Sequence, residues 1–325
     1  MGFALTFFAR RLAQGVLLVL LVSFTIFALL RVVPGDPARI ILGPMATNQV
    51  VEEAAREMGL RDPIPVQYIR YLGNVVRGDF GTSFIKARSG GAVGGARDEA
   101  RGERAKVLDL VGSTLPLTLQ LAGIALVFTA LLAIPLGIAG GLMAGRWPDK
   151  LALYVSSIFV SLPNFWIAIV LALVVTAKLG WIPSIGYRNI AYSILPAFVI
   201  AVEMSPLFIR ALSVAIADTL RHPFVELAQV RGLSSGRIFT HHVLRNASIP
   251  VLNLFGVQVG ALLGGVLVVE YIFDYPGFGL LTVQAVLQRD FPVIQGIAII
   301  STSLFVVINI IVDFVSANID PRIEY

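Results

Sequence analysis

Five stretches of this sequence are long enough to cross a bilayer as helices and contain no charged side chain. They are residues 12–30, 110–145, 151–177, 246–269 and 291–312. A helix needs about 20 mostly apolar residues to cross the hydrocarbon core. Inside that core the backbone has no water to bond, so only helices or closed barrels can span it. These runs are continuous and lack the alternation of barrel strands. A sixth segment, 194–214, has the length but carries Pro196, Glu203, Pro206 and Arg210. The expected fold is an all-α integral membrane protein with six transmembrane helices.

Composition agrees. The chain is 57% hydrophobic and 14% charged, with a mean hydropathy of +0.83. Soluble domains are about one quarter charged, and 325 residues this apolar cannot hide their surface in an internal core. No cysteine is present, which excludes disulfides and thiolate metal sites. A pI near 9.7 can mark nucleic-acid binding, but membrane topology explains the excess better, and no nucleic-acid partner is expected.

Short cytoplasmic loops are enriched in Lys and Arg. With the N-terminus inside, the inner segments carry Arg10, Arg11, Arg146, Lys150, Arg221, Arg231, Arg237, Arg245 and Arg322, against Lys178, Arg188 and Arg289 in the short outer loops. Both termini are therefore expected in the cytoplasm. Arg10 and Arg11 before an apolar run could open a secretory signal. However, the run is of span length and ends in LLRVVPGDPA without a small-residue cleavage site.

Three regions follow: residues 1–33 with the first span, an outer loop 34–111, and a five-span core 112–325. In the loop, TNQVVEEAAREMGL at 47–60 reads as a short helix started by Thr47 or Asn48 and stopped at Gly59. DPIPVQYIRYLGNVVRGDFGTSF follows, able to lie on the membrane surface or pack on helix ends. Residues 86–106, rich in Gly, Ala and charge, read as a flexible insertion.

Residues 221–250, RHPFVELAQVRGLSSGRIFTHHVLRNASIP, are polar where a tight turn would suffice. FVELAQVR is expected to form a helix with Phe224, Leu227 and Ala228 on one side. Gly232 is expected to turn sharply, and a second helix over about 234–247 would present basic residues. Such a helix–turn–helix suits docking to a soluble partner, and lying on anionic lipid is the plainer alternative. This segment resembles the EAA loop of ABC importer permeases, and HHVLRNASIP resembles the oligopeptide/dipeptide/nickel permease family. LLRVVPGDPA at 29–38, GLRDPIPVQYIRYLGNVVRGDFGTSF at 59–84, SLPNFWIAIVLALVVTAKLGWIPSIGY at 161–187, VVEYIFDYPGFGLLTVQAVLQRDFPVIQG at 268–296 and DPRIEY at 320–325 extend the resemblance over nearly the whole chain. The stretch near 88–104 departs from it as an insertion.

The resemblance implies a type I ABC importer permease fold. It also implies a second homologous permease, two ABC ATPase subunits that bind ATP and Mg, an extracytoplasmic substrate-binding protein, and a peptide as substrate. It places Phe224, Glu226, Ala228, Gly232, Arg237, His241 and Arg245 in the ATPase-coupling loop. Nothing in the chain hydrolyses ATP, since no GxxxxGK[ST] loop occurs, and no cofactor is expected. His222, His241 and His242 do not read as a metal site, because adjacent helical histidines diverge by about 100°.

Glu203 and Arg210 are costly inside a membrane and are expected to face protein or water. Glu203 is a candidate for the substrate pathway, attracting a peptide amine, and balance by Arg210 is the alternative. Gly256, Gly260 and Gly264, and likewise Gly137, Gly141 and Gly145, recur every four residues. Such stripes allow close helix packing, within the subunit or against a second permease. The competing functional reading is an ion-coupled secondary transporter or channel using Glu203, which has no evident need for the long docking loop.

Overall fold

Helix covers most of each charge-free run and also segments outside them. The structure is a computed structural model that describes residues 2–32, 37–43, 45–87 and 104–319. The 88–103 core of the proposed insertion and the terminal DPRIEY motif lie outside the described residues. The helices are α1 (Gly2–Val32), α2 (Pro37–Leu42), α3 (Asn48–Glu57), α4 (Ile64–Val76), α5 (Val107–Leu142), α6 (Trp147–Ser161), α7 (Asn164–Leu171), α8 (Ile194–Leu220), α9 (Pro223–Val230), α10 (Ser235–Ile238), α11 (Leu244–Ile272), α12 (Phe278–Gln288) and α13 (Phe291–Ile319). A small antiparallel ribbon of β1 (Thr82–Ala87) and β2 (Arg104–Lys106) qualifies the all-α expectation.

Among the described residues four helical stretches are long and apolar enough to cross a membrane: Phe8–Val32, Val107–Leu142, Ile190–Leu220 and Phe291–Val315. Two bent pairs raise the number to as many as six. The run 151–177, expected as one helix, is broken by 90° between α6 and the segment from Asn164 to Lys178. The cause is local. Proline disfavours helical geometry in the residue before it, and Leu162, before Pro163, is extended at φ −97° and ψ 121°. Within α11 the axis bends by 53° between Gly260 and Gly264.

Contacts divide the chain into two units, residues 1–116 with 281–306 and residues 117–280 with 307–325. In the first, α4 lies against α1. The Tyr68 hydroxyl donates to the Leu20 carbonyl at 3.0 Å and lies 2.6 Å from Ser23 Oγ. The Tyr68 ring meets Phe24 and Phe27 edge-on, and Arg31 Nε donates to Gln67 Oε1 at 2.8 Å. Helix α3 starts after Thr47, whose side chain makes no capping bond. The helix ends at Gly59, with φ +65°. The ribbon is held by Asp290, which accepts from Ser83 Oγ and from the Phe84 amide.

In the second unit α8 is the central element. Sixteen of its residues are buried, and α11, α6 and α7 pack on it. Glycines on α5 allow a close approach: a Cβ at Gly141 would lie 2.6 Å from Ile216 Cβ, and one at Gly137 would lie 2.9 Å from Leu212 Cβ. Gly145 does not continue this stripe, because α5 ends at Leu142 and Gly145 turns the chain at φ +79°. On α11, Gly256 faces Val312, whereas a Cβ at Gly264 would meet nothing within 4 Å. Gly260 is half-buried on the same helix.

Candidate functional site

The polar segment after α8 is folded from its own sequence signals. Pro223 occupies the first turn of α9, where its missing N–H costs nothing. The helix closes with the Gly232 amide on the Gln229 carbonyl at 2.9 Å and the Leu233 amide on the Ala228 carbonyl at 3.2 Å. That pattern places Gly232 in the left-handed region, at φ +75°.

The buried side of α9 differs from the expected one. Val225 and Ala228 face inward and join Leu212 and Ile216 of α8 with Ile238, Val243 and Ala247 in one apolar cluster. Phe224 and Leu227 face outward with Val230, at 37%, 59% and 86% exposure. The inward positions recur three apart, so the helix turns its larger apolar side chains toward solvent. Glu226 is exposed beside them, and His222 stacks on Phe224 at 5.7 Å.

The expected second helix over 234–247 is not a separate element. Helix α10 passes through a π-helical turn, Phe239–Val243, directly into α11. Arg237, His241 and Arg245 are exposed along this run, and Thr240 Oγ1 lies 2.9 Å from His241 Nδ1. The segment therefore continues two long helices, and α9 rests on the end of α8 and on the beginning of α11.

Glu203 lies on the same α8. It is exposed on a helix otherwise rich in buried side chains. Its partner is Asn164, whose Nδ2 donates to Glu203 Oε2 at 2.9 Å. Arg210, two turns away, forms no ion pair with it among the described residues. Gly265 of α11 faces the carboxylate, where an added Cβ would sit 3.4 Å from Oε2. Helices α7, α8 and α11 thus meet around one carboxylate. Asn164 was the residue missed by sequence reasoning. Its signal was a polar side chain directly after a proline inside an apolar run.

A second polar cluster, also missed, is structural. Glu270 is fully buried and accepts from Thr118 Oγ1 at 2.5 Å, from the Gly279 amide at 2.7 Å and from the Leu280 amide at 3.1 Å. Thr118 Oγ1 also accepts from the Phe278 amide at 2.7 Å. This ties α5 and α11 to the start of α12. The signal was Glu270 at the edge of the charge-free run 246–269.

Among the described residues no group of three or more His, Asp and Glu side chains could hold a metal ion.

Comparison with known proteins places these features in one family. Residues 133–325 match the family described as binding-protein-dependent transport system inner membrane component, and residues 4–122 match the companion family of its N-terminal region. The chain is 33% identical over 321 residues to the glutathione transport system permease protein GsiC of Escherichia coli (strain K12), covering 99% of both chains. The same protein of Salmonella typhimurium (strain LT2) is equally similar. In fold, a structure of the MetNI methionine ABC transporter in inward-facing conformations superposes with a TM-score of 0.55 at 16% identity. The match covers 66% of this chain and 98% of that one. ATP hydrolysis in such importers resides in partner subunits. The chain belongs to the binding-protein-dependent transport system inner membrane component family and is a multi-pass, non-catalytic permease subunit of an ABC importer.

Proposed function

We propose that this chain is one of two homologous permeases in an importer of peptide-like solutes, driven by two ATPase subunits and supplied by an extracytoplasmic binding protein. The observation that carries the proposal is the seating of α9. Its buried side is fixed to α8 and α11, while Phe224, Leu227 and Val230 leave an apolar edge uncovered. Such an edge fits a groove on an ATPase subunit. ATP and Mg bind on that partner, and closure of the ATPases moves α9. Because α8 carries both Ile216 beneath α9 and Glu203 further along, displacement of α9 displaces Glu203. Glu203 then lines the path that opens alternately to either side.

The topology that goes with this function has six spans and both termini in the cytoplasm. Residues 1–33 form the first span region, 34–111 the outer segment and 112–325 the transport core. The Lys and Arg distribution supports it. Trp147 and Trp181, both 73% exposed at the two ends of the broken span, suit the two membrane interfaces. A peptide-like substrate is supported by the glutathione named for the relatives, glutathione being a tripeptide.

The test is reconstitution in proteoliposomes with the second permease, both ATPases and the binding protein. ATP-dependent uptake of glutathione or of alanyl-alanine is the expected result. Uptake that proceeds without ATPase subunits and follows an ion gradient would overturn the reading.

A further inference from the structure

Glu203 is an unbalanced carboxylate in a membrane-crossing helix. Helix α8 belongs to an apolar span, Ile190–Leu220, most of whose residues within α8 are buried. Glu203 is nine positions from Ile194, which puts it about 14 Å along the axis, near mid-membrane depth. An ionised carboxylate facing lipid there is costly, so its exposed side chain faces water or protein. Among the described residues its partner is the neutral Asn164.

The direction of that hydrogen bond determines what the pair can receive. A carboxylate only accepts hydrogen bonds, so the amide nitrogen of Asn164 must face it. Asn164 Oδ1 is then directed away from the carboxylate, and Glu203 Oε1 has no partner among the described residues. Both carboxylate oxygens border the space beside Gly265, where an added Cβ would lie 3.4 Å from Oε2 and 3.7 Å from Oε1 and where no side chain stands. An ammonium group carries three donors and one positive charge, and it complements this set. A carboxylate or phosphate would be repelled.

The backbone supports the same geometry. Asn164 is the first residue of α7, directly after the 90° break at Leu162–Pro163. Interrupted helices in transporters occur where the backbone lines a cavity rather than lipid. The break brings Asn164 to Glu203, from a position 39 residues away in sequence.

We propose that Asn164 and Glu203 form a binding site for a primary ammonium group of the transported solute. Glu203 supplies the charge and the acceptor oxygens, and Asn164 positions the carboxylate. For a peptide this group is the N-terminal ammonium. The assignment rests on the importer reading and specifies the site along its path.

The chain has no cysteine, so a single reporter thiol can be placed at the site. Gly265→Cys, in the assembled importer without ATP, is labelled with a trimethylammonium-ethyl or a sulfonato-ethyl methanethiosulfonate. Divided by the same ratio for 2-mercaptoethanol in solution, the cationic-to-anionic rate ratio is expected to be about tenfold or more, through attraction to the carboxylate. Glu203→Gln should abolish that preference and Asn164→Leu should reduce it. Asn164→Cys provides a second reporter if Gly265→Cys disturbs packing. With the binding protein and ATP added, alanyl-alanine should slow the cationic reaction and N-acetyl-alanyl-alanine should not.

A rate ratio equal to that of 2-mercaptoethanol, no reaction with either reagent, or no difference between the two peptides would overturn the site. Loss of subunit co-purification in Glu203→Gln would also overturn it, because the charge would then serve a basic side chain of the neighbouring permease. The labelling ratio is measured without ATP. A wild-type complex that labels as expected but shows no ATP-driven uptake would overturn the importer reading instead.

Discussion

Thr118 and Glu270 stand 152 positions apart and share a hydrogen bond of 2.5 Å between α5 and α11. Glu270 is fully buried, and Thr118 also accepts from the Phe278 amide, so one hydroxyl serves two buried groups. Thr118→Val keeps the shape and removes both bonds. The expected loss is about 1–3 kcal/mol for the buried groups left unsatisfied. It should appear as a lower denaturation midpoint of the detergent-solubilised protein, largely restored in Thr118→Ser. An unchanged midpoint for the valine variant would mean that water replaces the hydroxyl.

Helix packing gives a contrast between two glycines. In Gly141→Ala the new methyl would lie 2.6 Å from Ile216 Cβ and 2.8 Å from the Ser213 carbonyl oxygen, forcing α5 and α8 apart. Overpacking of this kind costs about 1–3 kcal/mol. Gly264→Ala meets nothing within 4 Å and should leave the stability of the isolated subunit unchanged. Comparable thermal shifts for the two variants would contradict the packing described.

At the coupling element, Leu227→Asp changes an exposed side chain (59%) and should not disturb folding. Co-purification of ATPase subunits is expected to fall and uptake to be lost, with membrane levels normal. Gly232→Val should act through the backbone, because φ +75° is strained for a β-branched residue by about 1–3 kcal/mol. Variants that retain ATPase and transport at the wild-type rate would remove α9 from the coupling role.

Topology is testable with the same cysteine-free background. Glu53 on α3 and Ser234 before α10 are both exposed. Glu53→Cys should react with an impermeant maleimide added to intact cells, and Ser234→Cys only after permeabilisation. Reaction of both from outside would reverse the placement of α9.

How much of this was legible depends on whether the physical cause is local. The charge-free runs located the apolar helices because the bilayer tests each segment separately, by length and polarity. Gly232 was legible as a turn because a left-handed residue after a short helix is a local demand that glycine meets at no cost. The break at Leu162–Pro163 is local too, but it was read through, since apolar content alone does not register a backbone constraint. α4 and α12 were not placed as helices. Their residues mix apolar and polar types, and each is fixed by what it packs on, as Tyr68 is by Ser23 and Leu20.

Membrane residence, a structured polar element at 221–250 and the anomaly of Glu203 are readable from residue chemistry alone. Each of these follows from the cost of placing a given side chain in hydrocarbon or in water. The partners of those residues depend on the folded chain. Glu203 faces Asn164 rather than Arg210 because a proline break turns α7 back toward α8. Ala228 is buried while Leu227 is not, because the end of α8 offers α9 only one side on which to rest. Glu270 is held by Thr118 and two amides, partners far away in sequence that folding brings around a group too costly to bury alone.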